Sequence, residues 1–106
     1  MGRAEKPPQF VGIPSSTTVK AGESVTFLAK AVGQPAPHFR WCRSDGSPLA
    51  SGGNYQVEVL PDGTTKLTIN KCTTNDSDTY LCVAENEGGA VQTRCSLNVL
   101  GLSLFS

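Results

Sequence analysis

Apolar and polar residues alternate at period two through most of the 106-residue chain. That pattern predicts strands, because successive side chains of a strand point to opposite faces of its sheet. Residues 9–12 read as a short extended piece stopped by Pro14, which lacks an N–H and so belongs at a sheet edge. Residues 16–19 resume it, and Ala21-Gly22-Glu23 turns the chain. Residues 24–32 place Val25, Phe27 and Ala29 on one face. Residues 33–37 hold two prolines and read as a loop. Residues 38–43 alternate again, with Phe39 and Trp41 on one side and His38, Arg40 and Cys42 on the other. Residues 55–59 and 65–70 flank Pro61-Asp62-Gly63 and predict a hairpin, since Asp-Gly tolerates the positive φ of a tight turn. Leu67 and Ile69 share its inner face. Thr73-Thr74-Asn75-Asp76-Ser77 predicts one capped helical turn, because these side chains accept bonds from exposed backbone N–H groups. Residues 79–85 and 90–99, turned at Asn86-Glu87-Gly88-Gly89, complete eight or so short strands. The fold class is all-β, a sandwich or barrel.

Composition narrows the function rather than the fold. Val, Thr and Ile fill 21 positions, a β-rich bias, and 38% hydrophobic residues suffice for a core. Nine Lys+Arg balance nine Asp+Glu. A neutral chain lacks the basic field that nucleic acid or an anionic membrane surface demands. No apolar run approaches the roughly 20 residues of a membrane helix; the longest, from Val99 to Phe105, reads as a tail. Met1 to Lys6 leads into Pro7-Pro8 without the apolar region of a secretory signal. The expected division is a linker or expression remnant over residues 1–7, one domain over 8–100, and a tail or linker over 101–106. No Gly-rich phosphate loop precedes a helix, so no cofactor and no small-molecule substrate is expected.

Three residues sharpen the picture. Trp41 lies mid-strand, and Tyr80 stands two residues before Cys82 within Asp76-Ser77-Asp78-Thr79-Tyr80-Leu81-Cys82. Together with Ala21-Gly22-Glu23-Ser24-Val25-Thr26-Phe27, the Gly33-Gln34-Pro35-Ala36-Pro37 run, Leu67-Thr68-Ile69 and Ala84, Asn86 and Gly88, they make the chain resemble an I-set immunoglobulin domain from about Pro8 to Leu100. The resemblance implies an immunoglobulin-like β-sandwich of two antiparallel sheets with Greek-key connections. It implies a structural core of Trp41, Tyr80, Cys82, Ala29, Leu67 and Ile69. The short stretch between Pro48 and Tyr55 leaves no room for the extra strand of a variable-type domain.

One departure carries as much weight. The family's strand-B cysteine would fall where Ala29 stands, 12 residues before Trp41, so the usual bridge to Cys82 cannot form. Such a bridge, closing 53 residues, is worth about 4 kcal/mol in the chain-entropy picture. A domain that dispenses with it yet keeps four other cysteines reads as an inhabitant of a reducing compartment. Reduced sandwiches of this kind resemble those of the titin, obscurin, myosin-binding-protein and palladin-like group of muscle and cytoskeletal proteins. That implies a cytoplasmic module in a tandem array, touching neighbouring domains or sarcomeric and cytoskeletal partners, in a parent that can carry a kinase elsewhere.

The remaining chemistry is sparse. Cys42, Cys72, Cys82 and Cys95 are spaced by 30, 10 and 13 positions, with no Cys-x-x-Cys pair and a single histidine, so no metal site is expected. Cys72, Cys82 and Cys95 fall at inward positions and read as core filler; Cys42 should point outward. His38 faces out while Cys82 faces in, which excludes a nucleophile–base pair and with it an enzyme. Asp76 and Asp78 belong to the corner before Tyr80. The candidate partner surface is the outer face carrying Arg40, Cys42, Leu81, Val83 and Arg94, where two apolar residues lack a core reason. A second candidate is the edge at residues 16–19 and the last strand, where free backbone groups would accept a partner strand. Asn75-Asp76-Ser77 is a glycosylation sequon, the one feature that favours the alternative, an extracellular adhesion or receptor domain.

Overall fold

The structure, a computed structural model, describes residues 5–101. Inward residues at strict period two build the first sheet. Val25, Phe27, Ala29 and Ala31 line one face of β3 (Val25–Gln34), and Thr65, Leu67 and Ile69 line β7 (Thr64–Ile69). β3 and β7 pair antiparallel, flanked by β1 (Lys6–Gly12) and β6 (Tyr55–Val59) in the order β1-β3-β7-β6. The second sheet has the order β2-β9-β8-β4-β5, from β2 (Thr17–Lys20), β9 (Gly89–Leu100), β8 (Asp78–Asn86), β4 (His38–Arg43) and β5 (Pro48–Leu49). The chain crosses between sheets after β1, β2, β3, β5 and β7, which makes a β-sandwich with Greek-key connections.

The strand bounds differ from the sequence reading in four instructive places. β3 continues through Gly33 to Gln34, which pairs with Lys6, so the loop shrinks to three residues behind a cis Gln34–Pro35 bond. The first sheet takes in Lys6 and Pro7, within the stretch that the sequence reads as a linker or remnant. Pro48-Leu49 pairs with Cys42 and Trp41 as a two-residue strand, too short for an alternation to reveal. β2 runs parallel to β9, the one parallel pairing among the described residues. Having crossed from one sheet edge to the other at Pro14, the chain keeps its direction instead of turning back. Residues 102–106 lie outside the described part.

Between the sheets Trp41, Tyr80, Phe27, Leu67, Ile69 and Cys82 are each at most 1% exposed. Ala29, 3% exposed, belongs to the same cluster. The indole Nε1–H of Trp41 donates to Thr65 Oγ1 at 2.9 Å, and that hydroxyl donates to the Glu58 carbonyl at 3.0 Å. Thr65 is thus the polar anchor of an otherwise apolar centre: it satisfies a group whose burial alone would be costly. Among the described residues no buried side-chain polar atom lacks a partner.

Candidate interaction surface

Because Trp41 points inward, its neighbours on β4 point out, and the register then decides what stands beside them. Arg40 lies opposite Val83 and Cys42 opposite Leu81 on β8; Leu81 in turn lies opposite Arg94 on β9. All five candidate residues therefore meet on one face in two adjoining rows. Their character is less apolar than the sequence implied. Leu81 and Val83 are half-buried, while the exposed large hydrophobics lie elsewhere, among them Leu28, Val32 and Val59. Arg40 also reaches Glu85 at 3.9 Å, an exposed pair that contributes little.

The sheet-edge candidate is narrower than expected. β2 covers β9 only from Leu97 to Leu100, and Ser16 Oγ accepts from the Ser96 N–H, so the open edge of the last strand is confined to its first part, before Ser96. On β2 the Lys20 N–H donates to the Glu23 carboxylate at 2.7 Å, and the Lys20 carbonyl accepts from the Glu23 N–H at 3.0 Å. On β6, Ser51 Oγ accepts from the Val57 N–H and donates to the Val57 carbonyl. Side chains that occupy edge groups in this way oppose strand addition.

A polar corner fixes the face at its lower end. The Tyr80 hydroxyl donates to the Asp76 carbonyl, and the Asp76 carboxylate caps the 3₁₀ turn Thr74–Asp76 by accepting from the Thr73 N–H at 2.8 Å. Asp78 accepts from Ser44 Oγ at 2.6 Å, the Thr79 N–H at 2.7 Å and Arg43 Nε at 3.0 Å. These donors, the Ser44 hydroxyl first, hold the Asp78 carboxyl below its usual pKa. A depressed pKa contributes stability above the unfolded value near pH 3.9 and loses it as pH falls through the folded value. Asp78→Asn should therefore be less stable than the parent at pH 7. The gap should close below about pH 4, as thermal unfolding measured from pH 7 to 2 will show.

All four cysteines are free. Burial pushes the Cys82 thiol up to about 12 and the Cys95 thiol up to about 11, and it raises Cys72 as well. Cys72 also donates to the Ile69 carbonyl at 3.5 Å. Since the thiolate is the reactive form, an alkylating agent at pH 7.5 should modify one site, half-buried Cys42, in the native protein and four after denaturation, read by intact mass. His38 is exposed on the outer face and Cys82 fully buried on the inner one, so the two are not brought together. Among the described residues no group of three His, Cys, Asp or Glu side chains is placed to hold a metal ion. No described helix is long and apolar enough to cross a membrane.

Two contributors escaped sequence reasoning. Thr65 shares the inward phase of Leu67 and Ile69, a polar residue in a buried register, which was the available signal. Asn86 sits in a turn motif but uses its side chain to tie distant segments together, and nothing local announces that.

Known proteins place this geometry. The immunoglobulin I-set domain profile matches residues 8–99. The chain is 33% identical over 93 residues to contactin-5 of Danio rerio, covering 88% of this chain and 8% of that protein. It is 36% identical over 78 residues to the muscle M-line assembly protein unc-89 of Caenorhabditis elegans, covering 74% of this chain and 1% of that one. The solved structure of titin domain M7 superposes with a TM-score of 0.85 at 33% identity, covering 92% of this chain and 98% of that one. The chain thus spans a small fraction of the curated relatives and nearly the whole of a single solved domain.

Proposed function

The chain belongs to the immunoglobulin I-set family, and from that premise we propose that it is a non-catalytic spacer or docking module of a larger intracellular protein of the sarcomere or cytoskeleton. The observation that carries this reading is the core itself. Ala29 fills the position of the missing cysteine, and Cys72, Cys82 and Cys95 are buried as free thiols. A sandwich arranged in this way is suited to a reducing compartment, where a cross-link would not persist. Likeness to unc-89 and to titin domain M7 supports the muscle setting.

The docking face in this proposal is the outer patch of Arg40, Cys42, Leu81, Val83 and Arg94. Leu81→Glu with Val83→Lys should leave the thermal midpoint nearly unchanged while abolishing binding to the physiological partner; unaltered binding removes the patch from the account. The second reading, an extracellular module, is favoured by exposed Asn75 in its sequon and by likeness to contactin-5. Antibody staining of cells expressing the parent protein separates the two. Signal only after membrane permeabilisation supports the intracellular reading, and staining of intact cells overturns it.

A further inference from the structure

A sheet that must not pair with other chains blunts its outer edges. Here most edges are blunted, each in its own way. β1 carries Pro7, Pro8 and two breaks in its register with β3. β5 is two residues long and begins with Pro48. β2 and β6 have edge groups occupied by Glu23 and Ser51. The first part of β9, from Gly89 to Cys95, has no proline and no register shift against β8. Among the described residues no side chain bonds to its outer backbone groups until Ser16 reaches Ser96.

The parity of β9 identifies the groups that face this opening. The Ser96 N–H donates to Ser16 Oγ at 3.0 Å, and the Leu100 carbonyl accepts from the Ala21 N–H at 2.9 Å, both on the β2 side. The Val99 N–H turns the other way, to Ser77 Oγ at 2.8 Å. Register with β8 is unbroken from Gly89 to Leu97, so the alternation carries back to Ala90, Gln92 and Arg94. Their N–H and C=O groups face the open edge, and all three residues are exposed.

The strand that fits this edge best is β9 itself, run antiparallel. A two-fold axis at Gln92 sets Gln92 opposite its own copy and Arg94 opposite Ala90 in both directions, for about six backbone hydrogen bonds. Ala90 lies opposite Glu85 on β8. Its short side chain leaves the arriving guanidinium a path to the Glu85 carboxylate, which is 56% exposed with Arg40 at 3.9 Å beside it. Moving the axis to Arg94 would set like charges opposite each other. The formal net charge is zero, so no long-range repulsion holds two copies apart. We propose that the first part of β9 is a self-association edge, joining two copies of the chain about Gln92 into one continuous sheet. The contact is small beside the roughly 1,000 Å² of a stable interface. Its dissociation constant should therefore be about 0.1–1 mM for the isolated chain. The pairing holds in either compartment, so it stands apart from the choice between intracellular and extracellular readings.

Sedimentation equilibrium of the chain from about 20 µM to 2 mM tests the pairing. The mass should rise from monomer toward dimer, and NMR amide shifts of Ala90 to Arg94 should move with the same midpoint. Arg94→Glu brings two carboxylates together and should weaken association at least about tenfold; Arg94→Glu with Glu85→Arg should restore it to within about threefold. Gln92→Pro removes an N–H that the β8 ladder does not use, so it should abolish the dimer in a chain that still folds. A chain that is monomeric at about 2 mM overturns the pairing and leaves the edge to a strand of another protein. Association that Gln92→Pro leaves intact, or that the charge swap does not restore, places the contact on another surface and overturns it equally.

Discussion

Trp41→Ala is expected to lower the unfolding free energy by about 3–5 kcal/mol, the range for removing a large aromatic side chain from a packed core. Trp41 is 1% exposed at the centre of the cluster, and its Nε1–H holds the only fully buried polar side chain among the described residues, Thr65. Truncation leaves both a cavity and a hydroxyl that loses its donor. Against a typical stability of about 5–15 kcal/mol this is a large fraction. The thermal midpoint should fall by roughly 12–40 °C for a domain of this size. Because the chain has one tryptophan, the transition must be followed by far-ultraviolet circular dichroism or calorimetry. Thr65→Val isolates the polar part. It keeps the volume and leaves the Trp41 N–H without its acceptor, for an expected loss of about 1–3 kcal/mol. A midpoint for Trp41→Ala within a few degrees of the parent would mean that the indole is not the keystone of the core.

The second large effect runs the other way. Ala29→Cys places a thiol on β3 opposite β8, within the cluster that contains Cys82. Oxidation should then join the two sheets. Closing the 53-residue loop is worth about 4 kcal/mol as an upper value, less whatever strain the bridge introduces. The oxidised variant should melt well above the parent, and adding reductant should return it to the parent's midpoint or slightly below. Formation of the bridge without any gain would show that the existing packing already confines the unfolded chain. Failure to form it under mild oxidant would show that positions 29 and 82 do not face each other.

Much of this was legible in the chain because burial imposes a simple parity on a two-layer sandwich. Val25, Phe27, Leu67 and Ile69 declare their faces by alternation, and Trp41 with Tyr80 declares where the layers meet. What escaped is non-local. The parallel pairing of β2 with β9 joins residues about 80 positions apart in the chain, and no local pattern encodes it. β3 overran its expected end because Gly33 and Gln34 look like turn residues but are held extended by pairing with Lys6. The outer patch was located by parity alone. Its modest apolar content was not foreseeable, since the half-buried state of Leu81 and Val83 depends on the residues that the register sets beside them on β4 and β9. The Asn86 clamp was invisible for the same reason: its partners, Lys6 and Pro35, are 80 and 51 residues away.

The account stands on cohesion by packed side chains without any sulfur cross-link. Urea unfolding in the presence and absence of a thiol reductant tests that most directly. The predicted result is one midpoint, unchanged by reductant, with four thiols titrated in the unfolded chain. A midpoint that drops when reductant is added, with fewer than four thiols before it, would contradict it.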